Sequence, residues 1–196
     1  MPRASKVRVR LNPLLAGLAR GPQVMLPKDI GLVLAYTGVG RNSTAVDAGT
    51  GSGFLAISLA NVCRRVVTYE WREEFVELAR RNIEKSGLAN IELKHANVFD
   101  GIAEREVDLV TLDLANPERA LPHAACALRQ GGFVVAYVPH AEQASAFVRA
   151  VRASGSFEEP FVLEAIVREY LVREAGFRPE NKGITHTGYL CFARKR

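Results

Sequence analysis

Apolar segments and amphipathic segments alternate along the chain from Thr44 onward. The apolar segments predict strands at 44–48, 65–70, 91–95, 107–113 and 132–138. Between them, apolar residues recur at helical spacing and predict helices at about 53–62, 72–86, 117–129 and 140–153. This alternation is typical of a mostly parallel sheet with helices on both faces.

The two ends of the chain depart from this alternation. A short helical pattern runs from Asp29 to Tyr36, and Asp29 is predicted to cap it. Near the other end, residues 161–172 and 184–194 both have strand patterns with no helical pattern between them, which predicts an antiparallel hairpin at one edge of the sheet. The pattern therefore predicts an α/β, Rossmann-like fold with a seven-stranded, mostly parallel sheet and a C-terminal antiparallel hairpin.

The composition is that of an ordinary globular protein. The chain has 196 residues, of which 48% are hydrophobic and 24% are charged, so we expect one domain with at most a short appendage. No apolar run approaches the ~20 residues needed to cross a bilayer. Cys63, Cys126 and Cys191 are widely spaced and form no CxxC pair, which predicts buried, reduced thiols in a cytoplasmic protein and no metal site.

The positive charge is concentrated at the ends of the chain. The formal net charge is +5, and residues 1–20 contain five basic side chains and no acidic one. These are Arg3, Lys6, Arg8, Arg10 and Arg20. We therefore divide the chain into a basic N-terminal arm, residues 1–20, which suits a polyanionic partner, and a domain of residues 21–196. Two other interpretations of residues 1–20 stay open: a transit peptide, and a half-buried strand at Lys6–Leu11.

A glycine-rich loop lies where the first predicted strand meets a helix. Residues 47–53 read Asp-Ala-Gly-Thr-Gly-Ser-Gly, and the glycines would let the backbone turn tightly and approach a ligand. The spacing is DxGxGxG, in which a carboxylate is unfavourable for a pyrophosphate but suits the positive charges of S-adenosylmethionine (AdoMet). The candidate cofactor contacts are Asp47, Gly49, Thr50, Gly51, Ser52 and Gly53, with Thr50 and Ser52 facing the methionine carboxylate.

Two further positions fit an adenosine. Glu70 ends the second predicted strand about 20 residues beyond the loop, where an acidic side chain takes both hydroxyls of a ribose. Asn97 and Val98 follow the third predicted strand, and Asn97 is the better candidate for the adenine amino group. Together these positions predict a class I AdoMet-dependent methyltransferase. A structural strand-to-helix turn and a nicotinamide-binding domain are the alternatives, although the GxGxxG spacing of the latter is missing.

Segments outside the glycine loop resemble the tRNA N1-methyladenosine methyltransferases, which modify adenosine 58 in the T-loop. The resemblance rests on Gln23–Gly31, Val46–Gly53, Tyr137–Pro139 with Gln143, Arg168–Tyr170, Arg178–Pro179 and His186–Leu190. The last three segments are the specific part, because many methyltransferases share the glycine loop. The resemblance implies AdoMet as cofactor, tRNA as partner and a homotetramer.

The resemblance also implies roles for single residues. It places Gln23 beside the cofactor, and Lys28, Arg168 and Arg178 near the substrate entrance. Asp113 follows the fourth predicted strand, where it would accept a hydrogen bond from the adenine amino group and offset the charge that grows as N1 is alkylated. Adenine N1 already has a lone pair, so alignment rather than a strong base would do most of the catalysis. The alternative is that Asp113 only caps the helix predicted from Pro117.

One more candidate comes from its place in the pattern. His140 follows the fifth predicted strand and is a candidate for the substrate pocket, with a solvated loop histidine as the alternative.

The sequence departs from the family pattern at two places. Leu26 stands where the family usually has an aromatic residue, and Asp113–Pro117 keeps the acid of a DLPxPW-like motif without its second proline and tryptophan. The residues before Gly21 are also too few for the small β domain that the family carries there. Two other functions therefore stay open: a small-molecule methyltransferase, for instance in corrinoid synthesis, and a non-catalytic AdoMet-binding subunit that presents RNA.

Overall fold

The computed structural model describes residues 9–21 and 23–196. Its main sheet has seven strands in the order β3-β2-β1-β4-β5-β9-β6. The strands are β1 Thr44–Ala48, β2 Arg65–Glu70, β3 Ile91–His95, β4 Val107–Leu112, β5 Leu128–Val138, β6 Phe161–Leu163 and β9 Tyr189–Arg194. Strands β1 to β5 are parallel, and β9 runs antiparallel between β5 and β6. The predicted α/β fold with a mostly parallel sheet is confirmed.

Helices cover both faces of this sheet. They are α1 Pro13–Ala16, α2 Pro27–Thr37, α3 Phe54–Ala60, α4 Glu73–Ser86, α5 Leu121–Ala127 and α6 Ala141–Ser154. Alternate residues of a strand point to opposite faces, so Val46 of β1 packs in one core cluster with α5 and α6, whereas Ala45 packs in the other with α2 and α3. No helix in the described part of the chain is long and apolar enough to cross a membrane.

The helix predicted at 117–129 is divided. Residues Pro117–Ala120 form a 3-10 turn, and α5 follows only from Leu121 to Ala127. Each of the two elements has a proline in its first turn, the place where a helix tolerates the missing N–H. Strand β5 then begins at Leu128, four residues before the predicted start, and a register shift in its pairing with β4 accommodates the extension.

The C-terminal strands are shorter than predicted. Only β6 and β9 pair at the sheet edge, and residues 164–188 leave the sheet as a segment that we call the C-terminal arm. Within this arm, β7 Tyr170–Arg173 and β8 Gly176–Pro179 form a separate two-stranded sheet. Gly176 adopts φ +117°, which makes the tight connection between them possible.

The start of the domain also differs from the prediction. Leu26, and not Asp29, is the N-cap residue of α2, because Pro27 already occupies its first turn. Asp29 is buried inside that turn, where its carboxylate is paired with the Lys28 ammonium. In the predicted strand Lys6–Leu11, residues 6–8 lie outside the described part, and residues 9–12 form no regular element. Leu15 and Leu18 of the basic arm are buried in the core.

The three cysteines are all free. Burial raises the pKa of the Cys63 thiol to about 11 and that of Cys191 to about 12. Cys126 is exposed on α5, so the prediction of burial was wrong for this residue. Among the residues that the structure describes, no group of three or more His, Cys, Asp or Glu side chains is arranged to hold a metal ion.

Candidate active site

The glycine loop lies at the carboxyl ends of the parallel strands. The strand order reverses between β1 and β4, and α/β proteins bind their ligands at such a switch point. Gly49 has φ +92°, and a Cβ atom there would lie only 2.1 Å from the Asp113 carbonyl oxygen. Gly49 therefore allows the loop after β1 to touch the loop after β4.

The loop is held by hydrogen bonds to β2 and to the N-terminal segment. The Gly49 and Thr50 amides donate to the Tyr69 carbonyl over 3.0 and 3.2 Å, and the Thr50 hydroxyl lies 2.6 Å from that of Thr68. Ser52 Oγ accepts from the Gly21 amide at 2.7 Å. Both hydroxyls predicted to meet a ligand thus have partners within the protein. The Ser52 amide donates to no acceptor within 9–21 and 23–196, so it is the loop's available donor.

Asp47 lies beneath the loop and is fully buried. Its carboxylate accepts one hydrogen bond from the Thr68 hydroxyl and one from the Thr111 hydroxyl, each at 2.7 Å. Burial raises the pKa of Asp47, although the two hydroxyls oppose that shift. Asp47 therefore joins β1 to both neighbouring strands, and its influence on a ligand would act through its charge rather than through direct contact.

Glu70 is buried at the end of β2 with its carboxylate fixed from two sides. Oε2 accepts from the Gly51 amide at 3.0 Å, and Oε1 accepts from the Trp71 and Arg72 amides, both at 3.0 Å. Oε1 also accepts from Arg72 Nε at 3.3 Å, whereas Oε2 has two lone-pair sites and only one donor, so Oε2 can still accept a further hydrogen bond. Trp71 is 63% exposed and does not pack in the core.

The adenine candidates follow β3. Asn97 precedes a 3-10 turn, Val98–Asp100, and its Oδ1 accepts from the Phe99 amide at 3.0 Å. Val98 is the first residue of this turn, and its side chain is buried in the core. The turn is therefore fixed by the Asn97 side chain and by the packing of Val98.

A cavity of about 440 Å³ adjoins the glycine loop. It is lined by Val9, Arg20, Gly21, Gln23, Val24, Leu26, Asp113, Tyr137, Pro139, Ile184 and Thr187. These residues come from the N-terminal segment, from the ends of β4 and β5, and from the C-terminal arm. The cavity thus joins the predicted cofactor residue Gln23 and the predicted catalytic residue Asp113, and we call it the acceptor cavity.

Asp113 faces this cavity with an unusual pKa. Desolvation of its carboxyl group raises the pKa to about 7, although the residue as a whole is exposed toward the cavity. The nearby carboxylates of Asp47 and Glu70 raise the pKa further, and Arg72 opposes them. The Asp113 carboxylate accepts no hydrogen bond among the described residues. The 3-10 turn at Pro117 begins instead after Asn116. Asp113 is therefore not used as a helix cap, and its carboxylate can accept a proton or hydrogen bond from a ligand.

Tyr137 is a cavity residue to which no role was assigned from the sequence. It stands next to the end of β5. Burial raises the pKa of its hydroxyl, the charges of Asp29 and Asp113 add to the rise, and a hydrogen bond with Thr187 opposes it. A Cβ atom at Gly188 would lie 2.6 Å from the Tyr137 ring, so only glycine lets the C-terminal arm pass this close. The position of Tyr137 beside the end of a strand, at the edge of the sheet where ligands bind, was the feature of the sequence that could have identified it.

Lys28 is occupied within the protein. Its ammonium donates to Asp29 Oδ1 at 2.8 Å, to the Ala165 carbonyl at 2.7 Å and to the Thr187 hydroxyl at 2.6 Å. An ammonium has three N–H donors, so all are used. Lys28 therefore attaches the C-terminal arm to α2, in addition to any role toward a substrate.

The other predicted substrate residues are spread out. Arg168 lines a second cavity, of about 760 Å³, between the C-terminal arm, the start of α2 and Val9–Arg10; we call it the outer cavity. Arg178 lies on β8, lines neither cavity and donates to Asn181 Oδ1 at 3.0 Å. His140 is exposed at the start of α6, and its neighbour Pro139 lines the acceptor cavity instead.

His186 and Gln143 hold the loops around the acceptor cavity. His186 pairs with Glu164 Oε1 at 2.6 Å and with the Pro139 carbonyl at 2.8 Å, and the Glu164 carboxylate raises its pKa. Gln143 donates to the Ala115 carbonyl at 2.8 Å. Both residues belong to segments that carried the family resemblance, and both fix backbone next to the cavity.

Comparison with known proteins gives a consistent result. The family described as tRNA methyltransferase complex GCD14 subunit matches residues 15–181. The tRNA (adenine(57)-N(1)/adenine(58)-N(1))-methyltransferase TrmI of Methanocaldococcus jannaschii is 33% identical over 92% of this chain and 74% of its own length. The tRNA (adenine(58)-N(1))-methyltransferase TrmI of Thermus thermophilus is 30% identical over 96% of this chain and 75% of its own.

A solved structure extends the likeness to the fold. The tRNA (m1A58) methyltransferase TrmI from Aquifex aeolicus superposes with a TM-score of 0.87 at 28% identity, over 93% of this chain and 74% of that one. The sequence match, the superposition and the site at the strand ends agree. The chain is a member of the GCD14 family of tRNA methyltransferase subunits.

Proposed function

We propose that this protein is an AdoMet-dependent methyltransferase that forms 1-methyladenosine at position 58 of the tRNA T-loop. The observation that carries the proposal is the contact between the glycine loop and Asp113, which places the loop directly beside the residue whose carboxylate lines the acceptor cavity. The relatives named above as tRNA adenine-N1 methyltransferases supply the substrate class.

The residues around the glycine loop fit AdoMet. Gly51 has φ +52°, and a Cβ atom there would have no contact closer than 3.9 Å, so the loop borders open space. The free Ser52 amide would hold the methionine carboxylate, Glu70 the ribose hydroxyls, and Asn97 with Val98 the adenine. When bound, AdoMet supplies an electrophilic methyl group on a sulfonium.

Asp113 would do the main work on the acceptor. An ionised Asp113 accepts a hydrogen bond from the adenine amino group, which orients N1, and its charge offsets the positive charge that develops on the ring. Alkylation at N1 leaves one positive charge on the ring and requires no proton to be removed. The ionised form of Asp113, which predominates above its pKa of about 7, is therefore the form that stabilises the product. Tyr137 and Leu26 would contact the flat faces and edges of the base.

The outer cavity offers a route for the RNA. It shares Val9, Leu26 and Ile184 with the acceptor cavity, so the two are adjacent. Arg168 and Lys182, which line the outer cavity together with Arg10, would contact phosphates. This arrangement supports an acceptor base that enters from the outer cavity while its backbone stays near the C-terminal arm.

We further propose a cytoplasmic homotetramer. The β7–β8 sheet exposes apolar side chains, with Val172 80% and Phe177 73% exposed, and such surfaces mark sites of association. Sedimentation of the purified protein tests the assembly. A tetramer that Val172→Ser with Phe177→Ser dissociates would support this surface as the interface, and a monomeric wild-type protein would remove the proposal.

The activity is tested by incubating the protein with labelled AdoMet and unmodified tRNA, digesting the RNA and identifying the labelled nucleoside. The proposed function predicts 1-methyladenosine, formed by the wild type and lost in Asp113→Ala. AdoMet binding without methylation of any RNA would favour a cofactor-binding subunit or a small-molecule enzyme.

A further inference from the structure

A buried asparagine joins the cofactor loop to a segment far away in the chain. Asn82 lies on α4 and is only 2% exposed. Its Nδ2 donates to the Ala19 carbonyl and to the Ser52 carbonyl, both at 2.8 Å, and its Oδ1 accepts from the Ala19 amide at 2.9 Å. Both N–H groups of the side chain are therefore used, one on each segment.

Residues 17–21, which we call the strap, also touch the glycine loop directly. The Gly21 amide donates to Ser52 Oγ at 2.7 Å, and a Cβ atom at Gly21 would lie 2.9 Å from the same oxygen. One turn further along α4, Lys85 Nζ donates to the Gly17 carbonyl at 2.6 Å. The strap thus lies on α4 and on the glycine loop over its whole length.

The strap leads into a wall of the acceptor cavity. Arg20, Gly21 and Gln23 line this cavity together with Asp113. The position of the strap relative to Ser52 therefore sets both the surroundings of the loop amide and the shape of the cavity. Asn82 is the one side chain that hydrogen-bonds to the strap and to the glycine loop at once among the residues that the structure describes.

We propose that Asn82 is a positioning residue that clamps the strap onto the glycine loop and so closes the AdoMet site. The proposal rests on the proposed function in taking AdoMet as the cofactor. If Asn82 only filled space in the core, an apolar side chain would serve, as Val76 and Ala79 do on the same buried face of α4. A buried amide is retained only where its hydrogen bonds repay its desolvation, and here they are made to the strap and to the loop.

Asn90 provides a matched control. It too uses both N–H groups on buried backbone, donating to the Ala60 carbonyl at 2.8 Å and to the Cys63 carbonyl at 2.9 Å. It immediately precedes β3, at the amino-end edge of the sheet, whereas the glycine loop lies at the opposite edge. Asn82→Ala and Asn90→Ala therefore remove similar bonds, and only the first touches the site.

The experiment measures two quantities in the wild type and in both variants. These are the AdoMet dissociation constant, by calorimetry, and the rate of tryptic cleavage after Arg20. Asn82→Ala is expected to raise the AdoMet dissociation constant by about tenfold or more, because it leaves strap and loop groups without partners. Cleavage after Arg20 is expected to be slowed by AdoMet in the wild type and accelerated in Asn82→Ala. In Asn90→Ala both readouts are expected to stay at wild-type values, even if the melting temperature falls.

An unchanged dissociation constant in Asn82→Ala, or an equal rise in Asn90→Ala, would overturn the proposal. If Asn82→Ala does not fold, the near-isosteric Asn82→Asp replaces it, since it keeps the acceptor but removes both donors. A wild-type protein that binds no AdoMet would refute the proposed cofactor. The clamp is then still decided by cleavage after Arg20 in the two variants without cofactor.

Discussion

The cofactor side and the acceptor side of the site are held together in different ways. Around the glycine loop, Asp47, Gly51 and Glu70 are linked by hydrogen bonds between neighbouring strands, and all lie within one strand-helix-strand unit. On the acceptor side, Lys28 reaches Thr187 across 159 positions of the chain. The first side is built mainly by one local unit, to which Thr111 and the strap add contacts from elsewhere in the chain, whereas the second depends on the C-terminal arm being attached in the right place.

The largest effect is expected from breaking that attachment. Lys28→Met leaves the fully buried Asp29 carboxylate without its cation, which typically costs about 3–5 kcal/mol of stability. Thermal unfolding measures the loss. In the fraction that folds, the Michaelis constant for tRNA should rise while AdoMet affinity stays, and a variant that loses AdoMet affinity equally would show that the two sides are not separable.

Asp113→Ala tests the acceptor side at its reactive group. Turnover should fall by at least about 100-fold, the scale of a lost charge-stabilising group, while AdoMet affinity changes little. Single-turnover methylation and calorimetry on the same sample measure the two. Glu142→Ala, which removes an exposed carboxylate at the start of α6, is the control and should be unaffected. Near-normal turnover in Asp113→Ala would remove the residue from the chemistry.

Glu70→Ala tests the cofactor side. It should weaken AdoMet binding by roughly 1.5–3 kcal/mol, through loss of charged hydrogen bonds to the ribose. The variant also frees the Gly51 amide, so Glu70→Gln, which keeps the size of the side chain, separates the ribose contact from loop stability. A folded Glu70→Ala protein with an unchanged dissociation constant would exclude Glu70 from the site.

A smaller effect is expected from pH. The pKa of Asp113 is raised from 3.8 to about 7, so activity should increase as pH rises through about 7 and the carboxylate forms. The effect on stability has the opposite sign. Because the folded protein holds this proton more tightly than the unfolded chain, stability falls as pH rises from about 4 to about 7.

Asp113→Asn isolates both effects. It should lose the rising limb of the activity profile and should gain melting temperature relative to wild type above pH 7. Activity and melting curves recorded over the same pH series provide the comparison. Identical pH profiles of melting temperature in the two proteins would show that Asp113 does not titrate in this range.

The difference between contacts made within a local unit and contacts between distant segments also explains how much the sequence could predict. Strands β1, β2 and β3 have the predicted bounds, and Gly49 and Glu70 could be proposed as cofactor residues because their spacing along the chain is itself the signal. Asn82 and Tyr137 gave no such signal. Their partners, Ala19 and Thr187, are distant in the sequence, and only the folded chain brings them together.

The C-terminal arm was misread for a related reason. Its residues have strand-like alternation, but only Phe161–Leu163 pairs with β9, and the residues that follow leave the main sheet. Residues 170–173 and 176–179 therefore pair with each other. Periodicity indicates that a segment is extended, but it does not indicate which strand it will pair with.

The central claim is that the acceptor cavity takes adenosine 58 of tRNA. It is tested most directly by mapping 1-methyladenosine on a tRNA transcript and on the same transcript with adenosine 58 replaced by uridine. The account predicts one modification, at position 58, in the first RNA, its loss in the second, and its loss in both with Asp113→Ala. Methylation of the substituted transcript to the same extent, or of no RNA by a protein that binds AdoMet, would contradict it.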